Sequence, residues 1–308
     1  MLSNLESVKS DNAAMSNPRP VFKGSTYLVS RRCTQRQFLL RPSRVVDDVM
    51  KYGVAVAAQK YGVRIHAIVV MSNHYHLVAT DPDGNLPDFE RWLNSIVARA
   101  LNASYGRWEN FWATEQPSNV RLLNPDDVLA KMVYTACNPV AAGLVSHGEK
   151  WPGVRLFTPG TRLIRRPRVF FREEGGLPEM AALEIIAPPM GESSHRAIRA
   201  VLEGVAAKEA EIRAAVRAEG RAFVGAARVQ AQSIAESPTT REPRRQMSPR
   251  VACRGKWQRI EALQRCRKFI SDYRAALVAW MSRAADVLFP EGTFMMARRF
   301  ALAVAHPD

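Results

Sequence analysis

Nowhere in its 308 residues does the sequence hold an uninterrupted apolar run approaching the roughly 20 residues of a membrane-spanning helix. The opening stretch MLSNLESVKSDNAAMSNPRP also lacks the apolar core of a signal peptide. Both gaps predict a cytoplasmic protein with no membrane partner. Cysteine is scarce, and Cys33, Cys137, Cys253 and Cys266 are scattered without a CxxC pair. This excludes a disulfide framework and a structural zinc knuckle, leaving reduced thiols. No heptad array and no repeat of fixed period is present. Acid is in short supply too, with 29 Asp plus Glu against 44 Lys plus Arg and a net charge of +15. Such a balance favours a polyanionic partner, nucleic acid ahead of anionic membrane.

What is present is enough apolar residue, 47% of the chain, for one substantial core and a second smaller unit. Residues 1–20 are polar and end in NPRP, which predicts a flexible lead-in. STYLVSRRC (25–33) alternates like a strand. A helix follows, with Ser43 as its cap, Val45, Val49, Tyr52 and Val56 along one face and Gly62 as its stop. VRIHAIVV and HYHLVAT, split by MSN, read as an antiparallel pair. From Phe89 the spacing of Trp92, Leu93, Ile96, Val97, Ala100 and Leu101 predicts an amphipathic helix ending near Gly106. A short strand closes FWATEQPSNVRLL. NPDDVLAKMVYTAC then predicts a helix capped by Asn124 and stopped by Pro139.

This order, strand-helix-strand-strand-helix-strand with an added helix, predicts an α+β fold with a ferredoxin-like antiparallel sheet and helices on one face. Residues 158–193 read as an irregular connector with one hairpin. Residues 194–308 read as a mainly helical, basic C-terminal domain, with helices over 194–219 and 257–285 and a strand-like tail in VLFPEGTFMMARRF. Ile260, Leu263, Phe269, Tyr273, Leu277 and Trp280 form the expected buried face of the later helix. Between Arg241 and Arg274 stand 11 Lys plus Arg against 3 acids, a candidate phosphate-facing stretch that includes Arg244 and Arg245. A solvated basic surface has the same composition.

Within MSNHYHLV, strand alternation aims His74 and His76 to one side and Tyr75 to the other. Two imidazoles converging on one point suit a divalent metal, although HxH on a strand is equally a pair of core or surface histidines. In YTACNPVAAGLV, Tyr134 and Asn138 share a helix face. A metal-polarised phosphate can accept a phenol nucleophile. A half-buried aromatic beside a helix-ending Asn has the same spacing.

The two blocks, in this order and about 60 residues apart, resemble the single-tyrosine HUH transposases, and among them the REP-associated tyrosine transposases, whose signatures read approximately MPNHxHL and YIxxNPVRAGLV. The likeness covers about residues 21–157. It implies an HUH nuclease-like catalytic domain with Tyr134 as nucleophile, His74 and His76 as ligands of Mg²⁺ or Mn²⁺, and Asn138 as a further ligand. It also implies cleavage and rejoining of single-stranded or hairpin DNA through a 5′-phosphotyrosine, by a monomer or homodimer associated with the nucleoid. Ser72 stands where Pro is common, and Ala142 replaces a frequent Arg. A domesticated relative that binds hairpin DNA or RNA without cutting is the alternative. Arg31, Arg32 and Arg36 are candidate phosphate grips, and Trp108 and Trp112 are candidate base platforms. His66, on the preceding strand, is expected to be a satisfied histidine.

Overall fold

The computed structural model describes residues 18–170, 176–191, 193–240 and 250–305. Strand β1 (Ser25–Arg32) leads through a 3-10 turn to helix α1 (Arg44–Tyr61), then β2 (Arg64–Met71), β3 (His74–Asp81), α2 (Leu86–Tyr105), β4 (Ser118–Leu122) and α3 (Pro125–Ala141). Local chemistry sets these limits. Ser43 Oγ accepts the Val46 N–H at the start of α1, and Gly62 ends it at φ 69°, a left-handed position that suits glycine. Asn124 and Asp127 form a capping box ahead of α3.

The four strands stand in the order β2-β3-β1-β4, each pairing antiparallel with its neighbour. That is the ferredoxin-like arrangement expected. Beyond it the sheet grows from later chain: β5 (Arg155–Leu156), β6 (Gly160–Arg165), β7 (Met180–Ile185) and β8 (Val251–Ala252) make it eight-stranded among the described residues, in the order β6-β7-β2-β3-β1-β4-β8 with β5 also on β2. β7 joins β2, and β8 joins β4, in parallel, so the sheet is mixed rather than antiparallel throughout. Each parallel contact spans only one or two residue pairs.

Helices cover both faces, not one. On the first face, Tyr27, Val29, Tyr75 and Leu77 pack with Val49, Tyr52, Phe89 and Leu93 of α1 and α2. The alternate residues Leu28, Val78, Val120 and Leu122 pack on the other face against Val128, Met132 and Ala136 of α3. Behind α3 lies α4 (Ser194–Ala218), contributing Ala197, Val201 and Val205. Gly204 permits this close approach, because a Cβ there would meet Val133 Cγ2 at 2.7 Å. α3 does not stop at Pro139 but runs through it to Ala141. The proline forfeits one helical N–H bond, while the backbone beyond it is caught by Ala142 N–H donating to Asn138 O and Leu144 N–H donating to Pro139 O.

Chain packing divides the molecule at Lys23–Arg259, away from the boundaries expected at 157 and 193. The expected connector contributes β6 and β7 to the main sheet, and α4 shares a core with α3, which is why no division falls there. Of the described residues, 18–22 and 260–305 form the second unit. Its core gathers Phe289, Ala276 and Met296 with Tyr273, Leu277 and Trp280, much of it from α6 (Lys256–Met281). Leu263, expected on that buried face, is exposed. The expected strand-like tail is instead the short helix α7 (Met295–Phe300), entered after the turn at Gly292. α5 (Ala226–Ala231) belongs to the first unit. Among the described residues no helix is long and apolar enough to cross a membrane.

Candidate active site

β3 places His74 and His76 on the α3 face, while Tyr75 points the other way, fully buried, its phenol donating to Asn94 Oδ1 at 3.0 Å. The two imidazoles meet at their tips, Nε2 to Nε2 at 3.1 Å, with ring centroids 4.7 Å apart. Each ring is held from behind. Asn73 Nδ2 donates to Arg36 O, which leaves Asn73 Oδ1 to accept from His74 Nδ1 at 2.7 Å. Ser30, the cross-strand partner of His76, has Oγ 2.6 Å from His76 Nδ1. With Nδ1 of His74 carrying its proton, a neutral His74 presents a lone pair at Nε2. A hydroxyl both donates and accepts, so Ser30 serves either tautomer of His76.

This donor set fits a divalent cation. Cis ligands about 2.1 Å from an octahedral ion stand about 3.0 Å apart, close to the observed Nε2 separation. Imidazoles oriented by a hydrogen bond at the far nitrogen are the usual form of such ligands. Among the described residues no third His, Cys, Asp or Glu joins them in a metal-holding group. Among those residues, a further ligand would be of another type.

α3 lies across β2 and β3 and brings Tyr134 to the same place. The Tyr134 ring packs edge-on to His76 with centroids 5.3 Å apart and is 45% exposed, so the phenol is both beside the histidines and open to solvent. Lys131, one turn earlier, holds its ammonium 5.4 Å from the Tyr134 ring centroid. Asn138, one turn later, is 9% exposed. Three residues from two separate sequence blocks, His74, His76 and Tyr134, thus share one region, and all come from one chain.

The other candidates separate. Arg32 is the cross-strand partner of His74 and shares its face. Arg31 lies on the opposite face, where its guanidinium donates to Glu115 O and Ala113 O and stacks 5.7 Å from the Trp112 ring centroid. Burial pulls its pKa below the usual arginine value. Arg36 donates to Thr240 O at 2.7 Å and lies next to Asn73 through its carbonyl. Arg244 and Arg245 lie outside the described residues. Trp108 is 91% exposed, but Trp112 is core, its indole N–H donating to Asn94 O at 2.8 Å. Burying Trp112 behind β1 removes it as a base platform.

His66 sits four strand residues' distance along the sheet, at Thr80. Its Nε2 accepts from Thr80 Oγ1 at 2.8 Å and its Nδ1 donates to Ile186 O at 3.2 Å. Burial pulls its pKa down to about 4, so it is a neutral structural histidine. Three residues escaped the sequence reading. Ser30 carried a usable signal, since alternation from Leu28 sets it on the histidine side of β1. Lys131 lies one helical turn before Tyr134. Trp257, strongly exposed and flanked by Lys256 at 5.5 Å, sits inside the basic stretch already noted.

Residues 23–116 match the family model described as "Transposase IS200 like". The match takes in both histidines and ends before Tyr134. No curated protein matches the chain. Among solved structures, a REP-associated tyrosine transposase bound to a REP hairpin shares 20% identity over 45% of this chain and 81% of its own, with a TM-score of 0.39. A structure described as a transposase candidate from Deinococcus radiodurans shares 19% identity over 38% of this chain and 93% of its own, with a TM-score of 0.29. Likenesses at that level carry no argument about function. Over residues 23–116, the segment that holds His74 and His76, the chain resembles the IS200-like transposases.

Proposed function

We propose that this protein is a DNA strand transferase that cleaves and rejoins single-stranded or hairpin DNA through Tyr134. The observation that carries the reading is the edge-on packing of Tyr134 against His76, whose Nε2 faces that of His74 at 3.1 Å. A nucleophile and a two-imidazole donor set suit each other in phosphoryl chemistry, because phenol with its usual pKa of about 10 is a poor nucleophile and a metal held by two imidazoles would polarise the phosphate it attacks. His74 and His76 would hold Mg²⁺ or Mn²⁺, with Asn138 a third ligand. When bound, such an ion withdraws charge from the scissile phosphate.

Tyr134 Oη attacks the phosphorus in line and the bond to the 3′-oxygen breaks. The phenolic proton ends on that departing oxygen, directly or through water. The products are a 5′-phosphotyrosyl enzyme and a free 3′-hydroxyl, and the phosphotyrosine keeps the bond energy for rejoining to a second 3′-hydroxyl. No nucleotide cofactor enters. Lys131, whose ammonium stands 5.4 Å from the Tyr134 ring centroid, would offset negative charge on the phenol oxygen. Because Tyr134 and both histidines belong to one chain, a monomer suffices, and a homodimer would hold two such sites.

Arg32 beside His74, together with the basic stretch 241–274, would grip phosphates, and exposed Trp108 and Trp257 would stack bases. A protein with these contacts would act on the nucleoid. The test is incubation with labelled hairpin DNA carrying a single-stranded flank, with Mn²⁺, followed by a denaturing gel. A covalent adduct that Tyr134→Phe abolishes is expected. Cleavage without an adduct would point to water as nucleophile, and binding with neither would favour a non-cutting hairpin binder.

A further inference from the structure

α3 carries Tyr134 and Asn138 on the turn that Pro139 interrupts, where one helical N–H bond is missing. An external group supports this turn. Arg155, from β5, donates Nε–H to Ala136 O at 2.8 Å, midway between Tyr134 and Asn138 in the sequence. The same guanidinium donates from Nη2 to Glu209 Oε1 at 2.9 Å. Glu209 lies deep on α4 and is itself held: Oε1 also accepts the Gly148 N–H at 3.1 Å, and Oε2 is 3.6 Å from Arg213 Nη1.

The pair is nearly enclosed, with side-chain exposures of 12% for Arg155 and 10% for Glu209, and the guanidinium lies 4.7 Å from the Phe157 ring centroid. A buried ion pair contributes little net stability against apolar replacements, since desolvation offsets the attraction. What it fixes well is geometry: a planar fork makes two directed bonds at a set angle. Here those bonds tie one carbonyl of the interrupted turn to one carboxylate of the neighbouring helix.

We propose that Arg155 is a positioning residue for Tyr134. Anchored by Glu209, it sets the turn of α3 that presents the phenol to the histidine pair. This rests on the reading of Tyr134 as nucleophile. Its consequence is that Arg155 and Glu209, outside residues 23–116 that match the transposase family model, are working parts of the site.

The test uses the full chain and the variants Glu209→Gln, Arg155→Met and Arg155→Lys. Three things are measured: amide exchange across residues 134–142 without DNA, the single-turnover rate of adduct formation at saturating hairpin DNA with Mn²⁺, and the DNA dissociation constant. Glu209→Gln and Arg155→Met should speed exchange about tenfold and slow adduct formation about 10 to 100-fold, with DNA affinity changed by less than about threefold. Arg155→Lys, which keeps the charge but loses the fork, should fall between. Unchanged rate and exchange overturn the proposal, as does a rate loss that merely follows weaker DNA binding or the unfolded fraction seen in thermal melting. If Arg155→Met does not fold, the isosteric Glu209→Gln decides. A wild-type protein that forms no adduct overturns the nucleophile reading instead, a result distinct from variants that react as fast as wild type.

Discussion

His74 and His76 face each other through Nε2 atoms 3.1 Å apart, while the far nitrogen of each ring is engaged by an oxygen from a different element. Asn73 fixes one ring and Ser30 the other. Between two neutral imidazoles, one Nε2 must carry a proton to make that contact attractive. With a cation in their place, both must offer lone pairs. The Ser30 hydroxyl accommodates the change by rotating from donor to acceptor.

Ser30→Ala should therefore weaken Mn²⁺ binding about 10 to 100-fold, the usual effect of removing a ligand's orienting partner. Titration calorimetry on the DNA-free protein reads this without any activity. Equal affinity in the variant would show that Ser30 does not orient His76.

The two tryptophans that follow α2 should behave oppositely. Trp112→Ala empties a buried site beside Phe111 and should cost about 3 to 5 kcal/mol in urea denaturation. Trp108→Ala should leave stability within about 0.5 kcal/mol, yet lose about 1 to 3 kcal/mol of single-stranded DNA affinity if a base stacks there. Undiminished affinity would remove Trp108 from the DNA path.

Adjacent arginines on β1 offer a second contrast. Arg32→Gln should lower the slope of log affinity against log salt by about 1 with stability unchanged, the mark of one lost phosphate contact. Arg31→Gln should instead lower the melting temperature, since its guanidinium ties β1 to the Ala113 and Glu115 carbonyls. A salt slope altered only by Arg31→Gln would reverse the assignment.

His66 should make stability depend on pH. Folded, it titrates near 4, against 6.5 for the free side chain. The unfolded chain takes up the proton first, so the full contribution is present above pH 6.5 and declines as pH falls toward 4, by about 3 kcal/mol in all. Asp47, raised by burial to about 6, acts in the opposite direction, its contribution being lost as pH rises from 3.8 to 6. The measurement is therefore the difference between wild type and His66→Asn at pH 7.5 and pH 4. A difference that does not change with pH would contradict the burial argument.

The elements from β1 to α3 were legible because periodicity and end signals agree: Ser43 and Gly62 bound α1, and Asn124 with Asp127 opens α3. Pro139 misled because a proline forbids only one bond, and packing of Val140 against Val69 and Trp151 carries the helix past it. The parallel joins of β7 and β8 could not be read, since pairings this short and this distant leave no local trace. Arg31 and Arg32 were separable in principle, because neighbours on a strand face opposite ways. Trp108 and Trp112 were not, because only the tertiary position of residues 107–113 puts one in water and the other beneath β1. For the site, sequence could suggest that His74 and His76 share a point, and tertiary structure was needed to bring Tyr134 to it.

The late strands beside β2 and β4 also act as guards. Every four-stranded ferredoxin-like sheet has two outer strands with a free row of amide and carbonyl groups, and such rows recruit other strands. Here β7 and β5 lie along β2, and β8 lies along β4. A fragment cut to the first 157 residues would keep the histidines and the tyrosine but uncover Ile65 of β2 and Arg121 and Leu122 of β4. Such a fragment should pair with its own copies more readily than the full chain does.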